Sequence, residues 1–276
     1  MGKNSKIEWT HHTFNPWWGC TRVSPACKHC YAEAWAKRVG KKVWGPKAPR
    51  RFFGETHWSA PLKWDQEAAS RGERARVFCA SMADVFEARK DLNPERQRLW
   101  ELIEKTPHLD WLLLTKRPER ILATAPWSDS WPLNVWVGTT VEDQKCADKR
   151  LQHLARVPAA VRFISAEPLL GQLDIERWLG TSIDWVITGG ESGPHARPSS
   201  PSWFRSLLIQ CMQADVPFHF KQWGDWAPGQ GINLAAARKN AREVQDGTLM
   251  LRMGKKAAGR LLDGETWDGL PKRKAA

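Results

Sequence analysis

Short apolar runs alternate with helical stretches through most of this chain, and this alternation limits the fold more than any other feature. Each run is bounded by polar or glycine-rich sequence, as strands buried on both faces are. With a first strand over residues 7–19, the runs cover residues 77–80, 111–115, 135–139, 161–165, 185–188 and 217–221. Strands joined through helices form right-handed parallel units. The pattern therefore predicts an α/β fold, a partial or near-complete parallel (β/α) barrel of about seven strands, with a doubly wound sheet as the alternative.

Three of the predicted helices carry clear end signals. Residues 31–40 end at Gly40, a common C-terminal stop. Asn93 and Pro94 supply a cap and a first-turn proline for a second helix, and Ser200 with Pro201 opens a third. These helices lie between predicted strands, as a parallel barrel requires.

The composition of the chain changes near residue 228. Residues 1–227 carry the strand and helix pattern, so we expect them to form the barrel domain, with a metal-binding loop at 19–31. Residues 228–276 are rich in glycine, lysine and arginine and contain only short apolar runs. They predict a basic C-terminal extension packed against the barrel, with a loose basic end at 272–274. Whether the extension binds substrate is left open.

Three cysteines lie on one short loop directly after the first predicted strand. Six residues separate Cys20 from Cys27, and two separate Cys27 from Cys30. A structural zinc ion takes four protein ligands, whereas a cubane iron–sulfur cluster held by three cysteines leaves one iron free to bind a substrate or cofactor. The loop therefore predicts a metal centre with an open position.

A histidine would instead be the fourth protein ligand of a structural zinc site, and we keep this alternative. The nearest candidates are His11, His12 and His29. The remaining cysteines are scattered singly, and we expect them to be buried small residues: Cys79, Cys146 and Cys211.

Composition limits the chemical class of the partner and the cellular compartment of the protein. A net charge of +12 and an isoelectric point near 9.6 favour a polyanionic partner, and nucleic acid is the commonest one. Eighteen Trp against a single Tyr predict mostly core packing, with some rings free to stack on bases or on a nucleoside cofactor. No apolar run approaches the ~20 residues that span a bilayer, and the start MGKNSKIEW lacks the apolar segment of a signal peptide. We expect a cytoplasmic protein without membrane contact and, in that reducing compartment, without a disulfide framework.

Polar residues follow nearly every predicted strand. In a parallel barrel the carboxyl ends of the strands converge on one mouth, where such folds carry out chemistry. Glycines there admit a ligand to the backbone, acids accept from ammonium or hydroxyl groups, and basic side chains bind carboxylate or phosphate. The candidate cofactor-binding residues are Ser81, Asp84, Lys116, Glu142, Glu167, Gly189, Gly190 and Glu191, and the candidate substrate-binding residues are Arg117, Lys221 and Trp223. For each charged residue, a salt bridge that closes the barrel top is the alternative.

Residues 37–51 hold many basic side chains among glycines and prolines, with no acid between them. Such a segment is an exposed, poorly structured loop unless something negative orders it. We predict that Lys41, Lys42, Arg50 and Arg51 contact a phosphate backbone, against the alternative of a merely solvated loop.

Several segments carry a resemblance that spans nearly the whole chain. They are IEWTHHTFNPWWGCTRVSPACKHCYAE, SMADVF, LLLTKRPER, VWVGTTVE, RFISAEPLLG, DWVITGGESGPHARP, FHFKQWG and GKKAAGRLLDG. On these segments the chain resembles a phage- and prophage-associated family of three-cysteine proteins, largely uncharacterised, that is similar to radical S-adenosylmethionine (SAM) enzymes.

The resemblance implies a partial barrel whose first loop binds a 4Fe–4S cluster through Cys20, Cys27 and Cys30. The open iron would chelate SAM, and an electron from a reductant partner would release a 5′-deoxyadenosyl radical that abstracts hydrogen from the substrate. Two features depart from the commonest radical-enzyme pattern. Six residues rather than three separate the first two cysteines, and a GGE motif follows a late strand instead of the second one.

The leading hypothesis is thus a radical-SAM-type iron–sulfur enzyme that modifies or repairs nucleic acid. One alternative is a nucleic-acid-binding protein without catalysis, stabilised by zinc or by an iron–sulfur cluster. Another is a radical enzyme that acts on a peptide or on a partner protein. Metal content separates zinc from a cluster.

Overall fold

The computed structural model describes residues 2–128, 130–229 and 240–272. Seven parallel strands form one sheet in which the spatial order follows the chain from first to last. They are β1 (His12–Phe14), β2 (Ala75–Cys79), β3 (Leu109–Thr115), β4 (Val135–Thr140), β5 (Val161–Ala166), β6 (Trp185–Gly189) and β7 (Phe218–Gln222). The sheet curls into a half-barrel, so the predicted partial parallel barrel is confirmed. The doubly wound alternative is wrong, because that topology reverses its strand order part-way.

The first strand is much shorter than the sequence predicts. Instead of residues 7–19, only His12–Phe14 pair with β2. A turn precedes the strand, since the Thr10 amide donates to the Ile7 carbonyl (3.2 Å). Trp17 lies beyond the strand and is fully buried. The aromatic residues around this strand therefore serve core packing and do not extend the sheet.

Helices follow the strands and cover one face of the sheet. The helices of the described ranges are α1 (Tyr31–Arg38), α2 (Glu55–Trp58), α3 (Ala60–Ser70), α4 (Asn93–Glu104), α5 (Ile121–Thr124), α6 (Gln144–Leu154), α7 (Pro201–Gln213) and α8 (Lys255–Ala258), with 3-10 turns at Pro25–Cys27, Lys90–Leu92, Pro118–Arg120 and Glu176–Trp178. As predicted, α4 and α7 carry a proline in the first turn. None of these helices is both long enough and apolar enough to cross a membrane.

The two faces of the sheet bury different side chains. Strand residues such as Val77 and Trp111 pack against residues of α3, α4, α6 and α7 in the larger core. A second core joins Trp9 to strand residues and, within the described ranges, includes no residue of those helices. It therefore fills the concave side of the half-barrel with Phe78, Leu112, Trp136, Val161, Phe163, Trp185 and Ile187.

Segments outside the sheet cover both of its edge strands. At β1, the Thr13 amide donates to the Gly2 carbonyl (3.0 Å). At β7, the Phe220 amide donates to the Trp267 carbonyl (2.9 Å). Covered edges leave fewer backbone groups open to pairing with another chain.

A small antiparallel sheet connects the end of residues 1–227 with the C-terminal extension. Its strands, in the order β8–β10–β9, are β8 (Trp226–Pro228), β9 (Ala241–Glu243) and β10 (Leu249–Arg252). Met250 and Leu262 are buried in the larger core, and the Ser202 amide of α7 donates to the Asp246 carboxylate (3.1 Å). The division of the chain at residue 228 stays a prediction. The loose basic end lies outside the described residues except for Lys272.

Candidate functional site

The three-cysteine loop lies over the carboxyl end of the sheet. It follows β1 and is tied to the segment after β2, because the Gly19 amide donates to the Met82 carbonyl (3.0 Å). At the far end of the loop, the Tyr31 hydroxyl donates to the Ser81 carbonyl (2.8 Å). These two bonds hold the loop at the mouth of the half-barrel, next to the strand tips.

Cys20 lies against a buried ion pair. Its sulfur accepts a hydrogen bond from the Arg117 guanidinium (3.8 Å), which also contacts the Asp84 carboxylate (2.7 Å). Burial, together with the Asp84 charge, raises the pKa of Cys20 to about 12 against the opposing effect of Arg117. Because metals bind the thiolate, a metal would have to displace this proton.

Cys27 and Cys30 lie just before α1, and all three loop cysteines are free thiols. Cys30 is the N-cap residue of α1, and burial raises its pKa. Hydrogen bonds from the Glu33 and Ala32 amides oppose this effect, because they favour the thiolate. Cys30 thus lies at the N-terminus of α1, where these amides favour the thiolate that a metal binds.

The three thiols of the loop can be compared with the ligand set of a cubane cluster. Across the described ranges, no three His, Cys, Asp or Glu side chains surround one point where they would hold a metal ion. A cubane cluster makes a different demand, because each of its cysteines binds a separate iron and the sulfurs lie apart. Three free thiols on one loop, with guanidinium and amide donors beside two of them, fit that ligand set.

Four acid–arginine pairs fix the cysteine loop, and we call them the loop clasps. Each acid is less than a tenth exposed, so water competes little for its charge. The pairs, with their shortest N–O distances, are Asp84–Arg117 (2.7 Å), Glu87–Arg50 (2.7 Å), Glu142–Arg150 (2.6 Å) and Glu191–Arg197 (2.5 Å).

Two loop clasps meet at Thr21, one residue after the first cysteine. Arg117 donates to the Thr21 carbonyl (2.7 Å). The Thr21 hydroxyl donates to Glu87 (2.7 Å), and Arg50 donates to the same hydroxyl oxygen (3.1 Å). Arg117 was predicted to bind substrate, but its guanidinium is used within the protein. That prediction is corrected to a role in positioning Cys20.

Arg50 also organises the basic segment at 37–51. Its side chain is 0% exposed, and it donates to the carbonyls of Val43, Gly45 and Ala48. The prediction that Arg50 contacts a phosphate backbone is therefore wrong, because the guanidinium is buried and fully used. The negative group that orders this segment is Glu87, which the sequence reasoning did not single out.

The third loop clasp holds the middle of the loop through Glu142. This carboxylate accepts from the Ala26 amide (3.3 Å) and from Arg150. Although burial favours the neutral acid, the Arg150 guanidinium holds the pKa of Glu142 below its usual range. Sequence reasoning missed Arg150. Its position among the buried residues Ala147 and Leu151 of α6 is a usable signal, because a charge on a buried helix face needs a partner.

The fourth loop clasp connects Glu191 with the start of the 3-10 turn in the loop and with His29 beyond that turn. Arg197 pairs with Glu191 and donates to the Pro25 carbonyl (3.2 Å). His29 Nδ1 lies 3.1 Å from the same carboxylate. Burial again favours the neutral acid, but the Arg197 hydrogen bonds outweigh it and lower the pKa of Glu191. For Asp84, Glu142 and Glu191 the structure thus shows salt bridges, the alternative to cofactor binding.

Comparison with known proteins places the chain in a family. A family model described as "protein of unknown function (DUF5131)" matches residues 4–271. The chain belongs to this family. None of the curated proteins matches the DUF5131 chain in sequence.

Solved structures of spore photoproduct lyase are similar to the DUF5131 chain. A tyrosine-to-phenylalanine mutant gives a TM-score of 0.50 at 12% identity, covering 94% of this chain and 72% of that chain. A double mutant with bound AdoMet and dinucleoside spore photoproduct gives 0.48 at 12% identity, covering 92% and 71%. The first similarity shows a shared fold, so the expected radical-SAM-like half-barrel is confirmed.

Other charged groups remain at the mouth of the DUF5131 half-barrel. Glu167 contacts Lys221 (3.0 Å), and Lys116 is close enough to Cys30 and Glu142 to lower the pKa of each, although burial is the largest influence on both. Lys116 is half-buried and forms no ion pair within the described residues. Together with Ser81, whose hydroxyl accepts from the Asn15 amide group (3.0 Å), these side chains lie at or just beyond the carboxyl ends of their strands.

The two glycines at the carboxyl end of β6 leave no room for a side chain. A Cβ at Gly190 would lie 1.9 Å from the Trp223 carbonyl oxygen, and one at Gly189 would lie 2.8 Å from the Glu167 carboxylate. Trp223 is buried, and its Nε1 donates to the Leu261 carbonyl (2.7 Å). The prediction that Trp223 binds substrate is therefore wrong, because its ring packs in the core and its only donor is used.

The remaining predicted phosphate contacts stay at the surface. Lys41 and Lys42 are exposed. The Arg51 guanidinium lies over the Trp18 ring (4.5 Å) and the Phe53 ring (5.2 Å). Their contact with phosphate stays a prediction.

Cys79 and Cys211 are buried, as predicted, but Cys146 is only half-buried in the first turn of α6. The prediction for Cys146 is wrong because this side of the helix is not covered.

Two histidines considered as zinc ligands lie away from the loop. His11 is at the amino end of β1, and His12 stacks on Trp64 of α3 (4.5 Å) on the convex face.

Proposed function

We propose that this protein is an iron–sulfur enzyme of the radical SAM type that modifies or repairs nucleic acid. The observation that carries the proposal is a loop of three free cysteines, held by four buried ion pairs over the ends of parallel strands. Ligands positioned by such supporting contacts are preorganised for metal binding. The half-barrel shared with spore photoproduct lyase supports the proposal at the level of fold.

The ligands we propose for a 4Fe–4S cluster are Cys20, Cys27 and Cys30. When bound and reduced by a partner protein or other reductant, the cluster supplies the electron that cleaves SAM. Arg117 at Cys20 and the amides at the start of α1 offset negative charge on the sulfurs. The fixed backbone at Thr21 keeps the loop closed over the mouth.

We propose that SAM binds at the mouth of the half-barrel beside the strand-end residues that belong to none of the loop clasps. Lys116, a half-buried cation without an ion pair in the described residues, suits the SAM carboxylate. Glu167 and Ser81 suit its ammonium and hydroxyl groups, with Lys221 orienting Glu167 (3.0 Å). The four acids of the loop clasps are left out of this assignment, because their oxygens already bind arginine.

Anaerobic reconstitution tests the cluster and its ligands. We expect about four irons and four sulfides per chain, and 5′-deoxyadenosine from SAM under reduction. Cys27→Ala should lose the cluster because it removes one of three ligands. Cys146→Ala, which changes a half-buried cysteine of α6, is the matched control and should keep it.

Two outcomes would count against this proposal. A colourless protein that binds zinc and forms no 5′-deoxyadenosine would favour the non-catalytic alternative. Full iron content in Cys27→Ala would show that the ligand set is wrong.

A further inference from the structure

An aromatic and basic surface on α1 leads away from the cysteine loop. Tyr31 and Trp35 are 59% and 41% exposed although both are large rings. They are one helical turn apart, a spacing that puts side chains on the same face of a helix. Arg38 lies near the end of α1, Lys41 and Lys42 follow the helix in sequence, and all three are exposed. We call these five residues the α1 platform.

The cations of the α1 platform have no acid of their own segment to pair with. Between residues 31 and 53 the only acid is Glu33, which is buried and paired with Arg22 and Lys37 (2.7 Å each). Within the described ranges, the three cations of the platform form no ion pair. An exposed surface with cations of this kind is complementary to a polyanion.

The aromatic part of the α1 platform is firmly supported from below. The opposite face of α1 buries Ala32 and Ala36 against Met82 and Val43. The Tyr31 ring is fixed at its edge, because its hydroxyl donates to the Ser81 carbonyl (2.8 Å). A ring held at one edge while much of it stays exposed is a suitable stacking surface.

We propose that the α1 platform binds single-stranded nucleic acid. Unpaired bases stack on Tyr31 and Trp35, while Arg38, Lys41 and Lys42 contact phosphates. A base inside a duplex offers no free face, so the bound segment is single-stranded or has its base extruded. Since Cys30 is the N-cap residue of α1, a strand on this surface leads to the proposed active site. The inference deepens the proposed function by naming its substrate class, although binding itself does not depend on a cluster.

Fluorescence anisotropy with labelled DNA and RNA strands and their duplexes tests the α1 platform on the full chain. We expect single strands to bind more tightly than duplexes of the same sequence. Trp35→Ala should weaken single-strand binding about tenfold, since it removes one stacking ring. Trp35→Phe should restore most of the affinity, and Ile209→Ala, an exposed apolar position on α7 (53% exposed), should change nothing.

The salt dependence of the same binding tests the phosphate contacts. Replacing both Lys41 and Lys42 by Gln should lower the slope of log affinity against log salt by about 1.4, because each lost phosphate contact on a single strand contributes about 0.7. The matched control replaces Lys145 and Lys149, two exposed lysines of α6, by Gln and should leave the slope unchanged.

Equal binding of single strands and duplexes, with no effect of Trp35→Ala, would overturn the platform. Self-association of the wild type that Trp35→Ala abolishes, without oligonucleotide binding, would instead assign the surface to a second copy and also overturn it. Cluster content and SAM cleavage are measured on the wild type without nucleic acid. A wild type without a cluster or without SAM cleavage would overturn the proposed enzyme alone. A wild type that does not bind single strands would overturn the α1 platform alone.

Discussion

At the scale of single residues, the absence of a side chain at Gly138 decides how the concave face packs. A Cβ on this β4 residue would lie 2.3 Å from the Phe163 ring. Phe163 contacts Trp185 (centroids 5.7 Å apart), which in turn contacts Trp9 (6.2 Å) and Trp136 (6.3 Å). Part of the tryptophan surplus is therefore explained by ring packing inside the half-barrel, for which Gly138 makes room.

Gly138→Ala should lower the free energy of unfolding by about 1–3 kcal/mol, because the added methyl overpacks a filled core. Gly54→Ala is the matched control, since no atom lies within 4 Å of its added carbon. The control should change stability by no more than about 0.5 kcal/mol. Urea unfolding of both variants measures the difference, and similar losses in the two would contradict this account of the concave face.

At the scale of elements, loops at the mouth are ordered by charges inside the protein. Arg50 donates hydrogen bonds to carbonyls of the basic segment and pairs with Glu87. The Glu87 carboxylate also accepts a hydrogen bond from Thr21 of the cysteine loop. One buried pair thus connects the two loops that flank α1 with Glu87, which is distant from both in sequence. Neither loop has a helix or strand of its own over most of its length, so side-chain contacts supply the order.

Glu87→Gln should destabilise the protein by about 3–5 kcal/mol, because it leaves the Arg50 charge buried without a counter-charge. The matched control is Asp263→Asn, whose partner Arg205 is at 2.7 Å in a pair with side chains 43% and 46% exposed. Solvent screening limits that loss to about 1 kcal/mol. The free energies of unfolding in urea provide the test. A loss in Glu87→Gln no larger than in the control would contradict the role of the Glu87–Arg50 pair in ordering the two loops.

At the scale of the whole molecule, one histidine is enclosed between the sheet and the C-terminal extension. His219 of β7 is 1% exposed and faces Trp185 (6.3 Å), and neither ring nitrogen has a hydrogen-bond partner in the described part of the chain. Burial lowers the pKa of His219 to about 4, although Asp268 opposes this effect. The folded protein therefore excludes a proton that the unfolded chain binds readily.

The contribution of His219 to stability should fall as the pH falls from 6.5 to about 4. The unfolded chain takes up the proton across this window and the folded chain does not, so unfolding becomes easier by up to about 3 kcal/mol. Unfolding in urea between pH 7 and pH 4 measures this slope. His219→Gln should flatten it relative to the wild type, whereas His153→Gln on the surface of α6 should not. An unchanged slope in His219→Gln would show that other groups cause the acid sensitivity.

The sequence by itself determined the parallel half-barrel and the site of the three-cysteine loop. Apolar runs with turn signals between them mark the strands, because a strand buried on both faces needs continuous apolar sequence. The prolines that open α4 and α7 act within one turn, and three cysteines on one loop need no folding to be recognised as a set. Local chemistry suffices for each of these features.

Only the tertiary structure decided which charges meet. Arg50 looked like a surface cation and is buried on Glu87, Trp223 looked like a stacking ring and packs in the core, and the acids at the strand tips hold the loop. The partner of a charge depends on which distant segments the fold brings within a few ångströms, and Arg117 meets Cys20 across 97 residues. The Coulomb energy depends on that spatial distance and on burial, and neither can be read from the order of residues along the chain.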